Sequence, residues 1–412
     1  MSETKLMSET KFNFTQIIER EGKDAIAFDL LGQEWAPKKP KEGFDSIPMW
    51  VADMNFAVPP SIQEEISKRV SHPCFGYFQP RKEYYTSIIN WQKNHHGIED
   101  LTEEEIGYEN GVLGGVITST NILCSKGDKI LVHSPIYLGF SMVLGNNGYK
   151  IIHSDLKKDS KGIWRMDFKD MEEKIIKEKI HVCIFCNPHN PCGRVWEKEE
   201  LLKMMELFEK YEVYVICDEI WSDLILFGNK HIPLQSVNEY AKQHTISFYS
   251  PSKTFSLSGL IGSYHIIYNK FLRDRQRKES SLCCYNSINM LSMYALIGAY
   301  SNTGDEWVKE LIQVLNKNVE FAVDFINSKF KGVKPFKTEG TYMFFVDCEE
   351  WLKEHNWDLD KLLKELWDVG ATVQDGRQFN SQYSIRMNLA SPFSRIKEAF
   401  ERMDKYVFNK KE

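Results

Sequence analysis

The chain has 412 residues, of which 42% are hydrophobic and 27% charged, and a formal net charge of -6. This is the profile of a globular protein long enough for two domains, and it excludes a fibrous or disordered chain. The acidic balance gives no broad basic field for nucleic acid or anionic lipid, and no apolar run approaches the ~20 residues that span a bilayer, so neither nucleic acid nor membrane is expected as a partner.

The first twelve residues repeat themselves, Met1–Leu6 returning almost unchanged as Met7–Phe12. The repeat is too polar for a secretory leader and reads as a duplicated start or a remnant of cloning, so residues 1–12 are set apart. Residues 13–56 place Pro37, Pro40 and Pro48 in a charged, extended stretch that reads as an arm. Between residues 57 and 292, short apolar runs alternate with amphipathic helical stretches. That pattern predicts a large α/β domain with a mostly parallel sheet flanked by helices. The expected strands are Lys129–His133, His181–Cys186, Val213–Cys217, Thr245–Tyr249 and Tyr264–Ile267, with a helix at Lys198–Tyr211 joining two of them. The glycine-rich turn around Gly111, Gly114 and Gly115 introduces a helix running to Cys124, whose N–H groups and dipole suit a phosphate. The basic run Lys270, Arg273, Arg275, Arg277 and Lys278 reads as a solvated helix face. Helical patterns then run from Asn289 through Tyr300 and from Glu306 past Phe325, followed by a strand-like Gly340–Val346. With the arm, residues 293–412 are expected to form a smaller α+β domain.

Nine cysteines scattered over this length do not make a disulfide scaffold, and a reducing cytoplasm is the expected location. Cys183 and Cys186 have the spacing of a redox or metal pair but fall in an apolar strand with no second pair, and Cys283–Cys284 also has apolar surroundings. Both read as core, and no metal site is expected.

Three polar segments each follow a predicted strand: Asn187-Pro188-His189-Asn190-Pro191, Asp218-Glu219-Ile220-Trp221 and Ser250-Pro251-Ser252-Lys253. Their polar groups therefore emerge together at the carboxyl edge of the sheet, where a polar ligand is met without stranding them in the core. In this order and spacing they resemble the signature of the fold-type I enzymes that use pyridoxal 5'-phosphate (PLP), the aspartate aminotransferase superfamily of the PLP-dependent transferase fold. The resemblance implies that Lys253 binds the cofactor aldehyde as a Schiff base and afterwards carries protons to and from the substrate Cα. Asp218 is implied to keep the pyridine nitrogen protonated and Asn190 to reach the ring oxygen, toward which the indole N–H of Trp221, not the family's usual residue there, can also donate. By the same resemblance Leu113, Gly114, Ser250 and Ser252 hold the phosphate, and Tyr137 stacks on the ring. Phe75-Gly76-Tyr77 is similar to the family segment whose tyrosine reaches the neighbouring subunit's phosphate, which implies a homodimer with shared active sites. Arg386, within Ser384–Asn388, matches the arginine that grips the α-carboxylate of an amino-acid substrate through a bidentate fork.

Pro48–Met54, which places Asp53 on the substrate side, and Gly193–Trp196 resemble the carbon-sulfur lyase branch, typified by the aminotransferase-like cystathionine β-lyases. Ile261, at the place of a phosphate-binding arginine in many aminotransferases, also suits that branch. The implied reaction is α,β-elimination from an L-cysteine-derived substrate to a thiol, pyruvate and ammonia; the alternative is an aminotransferase. The chain departs from the lyase pattern at Asn55, where an Asp is usual, and at Trp221, where lyases commonly have His and aminotransferases Tyr. It is also shortened at Phe379–Tyr383. These positions bear on the substrate more than on the cofactor.

Overall fold

The computed structural model describes residues 10–282 and 286–410, so most of the opening repeat and the Cys283–Cys284 pair lie outside the described residues. The chain divides into two compact units. The larger comprises residues 58–190 and 194–308, and the smaller residues 1–57, 191–193 and 309–412. The division falls inside the helix Asn302–Lys329.

The larger unit is built on a seven-stranded sheet. In chain order its strands are β1 (Ile106–Glu109), β2 (Lys129–Ser134), β3 (Lys150–Asp155), β4 (Val182–Cys186), β5 (Tyr214–Asp218), β6 (Thr245–Tyr249) and β7 (Ser263–Ile266). Their spatial order is β1-β7-β6-β5-β4-β2-β3. Four of the five expected strands run parallel, as the alternation of apolar runs and helices predicts. The fifth, β7, is antiparallel to both β6 and β1, so the sheet is mostly parallel, as expected. A continuous apolar run marks a strand buried on both faces but carries no sign of its direction. β1 and β3 were not anticipated; β3 lies at the edge of the sheet and is only partly buried, so its apolar signal is weak.

Chain order reverses between β2 and β4, which makes the carboxyl ends of the central strands the topological switch point where ligands collect in sheets of this kind. The register places Cys186, Asp218 and Phe248 in one row across β4, β5 and β6. The helix Val112–Leu123 packs on this sheet, with Val116 against the cluster that contains Ile184, Ile216 and Phe248. It approaches closely because position 115 is glycine: a Cβ there would stand 2.2 Å from the Phe248 ring. Side chains three apart in a strand leave opposite faces, so the Cys183 and Cys186 thiols cannot converge on one ion. Burial pushes the Cys183 thiol up from its ordinary value.

The basic run on helix Lys270–Leu282 is not wholly a solvated face. Arg273 is 3% exposed and donates to the carbonyls of Ile267 (2.8 Å) and Tyr268 (2.9 Å), and it also pairs with Glu104 at 2.8 Å. A guanidinium has donors enough to cap a strand end from inside, and composition alone gave no sign of it.

The smaller unit holds a four-stranded antiparallel sheet in the order Lys334–Pro335, Met343–Asp347, Ser384–Asn388, Gln374–Asp375. The arm joins it through a short parallel pairing of Ile47–Pro48 with Ala371–Thr372.

Candidate active site

In the larger unit the site residues stand on the ends of β4, β5 and β6. Asp218 closes β5, is 4% exposed, and accepts a hydrogen bond from the Ile220 N–H at 3.0 Å. Its main-chain carbonyl accepts from Asn187 N at 2.9 Å, and Glu219 N donates to the Phe248 carbonyl at 2.9 Å, so the loop after β4 and the end of β6 are both tied to this turn. Burial raises the Asp218 carboxyl to about 7, against the Ile220 N–H and the Lys253 ammonium, which favour the ionised form. An acid held half-ionised inside a protein is suited to a cationic N–H partner. Asn190 is 3% exposed in the loop that follows β4. Trp221 is buried, with the Lys253 ammonium 5.6 Å from its ring centroid, which gives the lysine an aromatic wall.

Ser250 caps the short helix Pro251–Thr254 that carries Lys253. Its Oγ accepts from Ser252 N (3.1 Å) and donates to the Gly262 carbonyl (2.6 Å), so it shapes the lysine turn as well as standing beside it. Ser252 is half-buried on the same turn. The helix Val112–Leu123 begins at Gly111, at φ +81°, with no side-chain cap and no acidic residue in its first turn. Its opening N–H groups, including those of the half-buried Leu113 and Gly114, therefore suit an anion. Tyr137 is drawn to the same place. A Cβ on Gly139 would stand 2.5 Å from the Tyr137 ring and 2.9 Å from the Leu113 side chain, so the glycine is what lets these two side chains lie against it. Tyr77 is fully exposed on this chain, beside Phe75 at 58%.

In the smaller unit Arg386 lies in Ser384–Asn388 and is 3% exposed. Its guanidinium lies 4.4 Å from the Phe379 ring centroid, donates to the Trp50 carbonyl at 3.3 Å, and also donates to Gln374 Oε1. Asp53 is engaged within the arm: Arg20 pairs with it at 2.6 Å and reaches Asn55 Oδ1 at 2.8 Å. Gln374 and Arg20 were not anticipated from the sequence, and Phe379 only as the start of the shortened stretch before the strand of Arg386. Their partners lie 7 to 35 positions away, and only the Gln and Phe just before the strand of Arg386 offered any hint.

In the larger unit a buried carboxylate that favours a cationic partner, an amine on a capped turn and an uncapped helix terminus are the donor set that PLP requires, and in the smaller unit a buried arginine suits a carboxylate. The sequence profile of the aminotransferase class I and II family matches residues 47–403, and the chain belongs to this family of PLP-dependent enzymes. Among curated relatives it is 33% identical to the cystathionine β-lyase PatB of Bacillus subtilis over 81% of this chain and 84% of that one. Among solved structures it is similar to the PLP-bound C-S lyase of Staphylococcus hominis, with a TM-score of 0.84, 30% identity and 95% and 98% of the two chains covered. A PLP-bound candidate aminotransferase of Clostridium difficile is similar at a TM-score of 0.89 and 32% identity, with 96% and 100% covered.

Proposed function

We propose that the chain is a PLP-dependent carbon-sulfur β-lyase that converts an L-cysteine-derived substrate and water to a thiol, pyruvate and ammonia. The likeness to the PatB cystathionine β-lyase and to the Staphylococcus hominis C-S lyase carries the choice of reaction, and the buried Asp218 with Lys253 on the adjoining turn supports the PLP chemistry it needs. When bound, PLP supplies an electron-withdrawing ring that accepts the electron pair left on the substrate Cα. Asp218 keeps the ring nitrogen protonated, so that the ring can do so. Lys253 removes the Cα proton as a general base, its amine held against the Trp221 indole. The N–H groups of the Val112–Leu123 helix and the hydroxyl of Ser252 hold the phosphate, and Tyr137 and Asn190 hold the ring. Arg386 receives the α-carboxylate on a planar fork backed by Phe379.

A homodimer belongs to this proposal: the uncovered aromatic side chains of Phe75 and Tyr77 suit cover by a second copy, with Tyr77 reaching that copy's phosphate. So does a cytoplasmic location; among the described residues no helix is long and apolar enough to cross a membrane. A second reading, an aminotransferase, is favoured by the likeness to the Clostridium difficile protein.

The test is pyruvate release from L-cystathionine or L-cysteine by the PLP-loaded protein with no keto acid added. Steady release that Lys253→Ala abolishes is the expected result. A normal lysine-bound cofactor spectrum with amino-group transfer only to an added keto acid overturns the lyase reading and leaves the aminotransferase.

A further inference from the structure

The turn that begins at Asp218 carries two more carboxylates, Glu219 and Asp223, whose side chains are 0% and 4% exposed. Neither has a part in the chemistry above, and burying each is costly unless something requires it. Both are fully engaged. Asp223 Oδ1 accepts from the Trp91 indole N–H at 2.9 Å and from His96 Nε2 at 3.0 Å, and its Oδ2 accepts from the Thr254 hydroxyl at 2.7 Å. An indole N–H is a donor only, so the contact fixes this oxygen of Asp223 as an acceptor. Burial pushes Asp223 up, but the hydrogen bond and charge of His96, the charge of His95 and the Thr254 hydroxyl outweigh it and leave the group at about 2, an anion throughout the working range. Glu219 accepts from Leu234 N at 2.9 Å, His231 Nε2 at 3.1 Å, Cys217 Sγ at 3.3 Å and the Tyr249 hydroxyl.

The neighbours in sequence give these contacts their meaning. Glu219 follows Asp218, and its partner Tyr249 precedes Ser250; Thr254 follows Lys253, and its partner Asp223 ends the Asp218 turn. The segments carrying the two reactive groups are therefore cross-linked twice, once on each side of Lys253, both links leaving the chain just after Asp218. His96 joins the two links: its ring is 5.2 Å from His231 and 6.2 Å from Tyr249. Trp91 stacks on Tyr300 at 4.5 Å and 7°, which holds the far side of Asp223 rigid.

We propose that Asp223 is a positioning residue for Lys253, acting through the Thr254 hydroxyl, with Trp91 and His96 holding the carboxylate. The brace fixes the lysine amine relative to Asp218, so that the amine meets the cofactor aldehyde and the substrate Cα without a search over rotamers. The inference rests on Lys253 being the cofactor lysine.

Mixing the cofactor-free protein with PLP in a stopped-flow spectrophotometer separates two events. One is association, whose rate rises with PLP concentration. The other is covalent attachment, in which the ε-amine condenses with the aldehyde carbon and water leaves, at a rate independent of concentration. Thr254→Val keeps the shape and removes the link. It is expected to slow attachment about tenfold and leave association unchanged, while Thr254→Ser attaches within about twofold of the wild type. Attachment at the wild-type rate in Thr254→Val, equal slowing of both phases, or no rescue by serine overturns the proposal. Should Thr254→Val not fold, Trp91→Phe removes one donor from Asp223 and is expected to slow attachment about threefold; an unchanged rate there overturns the proposal equally. Absence of the attachment phase in the wild type overturns the assignment of Lys253 itself, and this inference with it.

Discussion

Replacing Asp218 by Asn tests the electrostatics of the site without any turnover. In the cofactor-free protein the carboxyl titrates at about 7 because burial disfavours its charge, against an ordinary value of 3.8. The folded state therefore binds a proton more tightly than the unfolded state, and stability falls as pH rises from about 4 to about 7. Each unit in that window is worth about 1.4 kcal/mol, so the two units between pH 5 and pH 7 contribute about 3 kcal/mol. Wild-type protein should lose that amount relative to Asp218→Asn, whose amide has the same shape and no charge to bury. The assay is urea unfolding of both cofactor-free proteins at pH 5 and pH 8, comparing the change in unfolding free energy of one with that of the other. That double difference cancels every titrating group not coupled to Asp218, and the neutral amide's own hydrogen bonding drops out because it is the same at both pH values. Parallel pH dependences, differing by less than about 1 kcal/mol, would refute the claim that Asp218 is held near neutrality by its surroundings. Adding PLP should erase the wild-type penalty, since a protonated pyridine nitrogen neutralises the buried charge.

Arg386→Lys should raise KM for the amino-acid substrate about 10- to 100-fold with a smaller fall in kcat, because an ammonium cannot form a planar fork on a carboxylate or lie flat on Phe379; steady-state kinetics with the pyruvate assay measures it. Gly115→Ala puts a methyl group 2.2 Å from the Phe248 ring and should cost about 1–3 kcal/mol in urea unfolding. It should also weaken PLP binding in a titration, since the helix terminus moves with the helix. Ile261 is 56% exposed and sits at φ +47°, a region that disfavours branched side chains. Ile261→Gly should raise stability by about 1 kcal/mol, the relief of strain exceeding the added chain entropy, as read from the same unfolding curves.

The sequence by itself determined the family, the cofactor and the ends of the central strands. Asp218 stands directly behind an uninterrupted apolar run, and Asn190 and Lys253 follow within four residues of the ends of two further buried strands; a strand that must be buried on both faces leaves its polar successors only the edge of the sheet to occupy. The uncapped start of the Val112–Leu123 helix was legible for a similar reason: glycines and the lack of an acidic or hydroxyl cap are local facts. Tertiary structure alone decided the rest. The reversed direction of β7, the burial of Arg273, the capture of Asp53 by Arg20, and the closing of Asp223 and Glu219 on Thr254 and Tyr249 all depend on groups far apart in the chain. A charged residue in sequence looks the same whether water or a distant partner satisfies it, and only the fold supplies the partner.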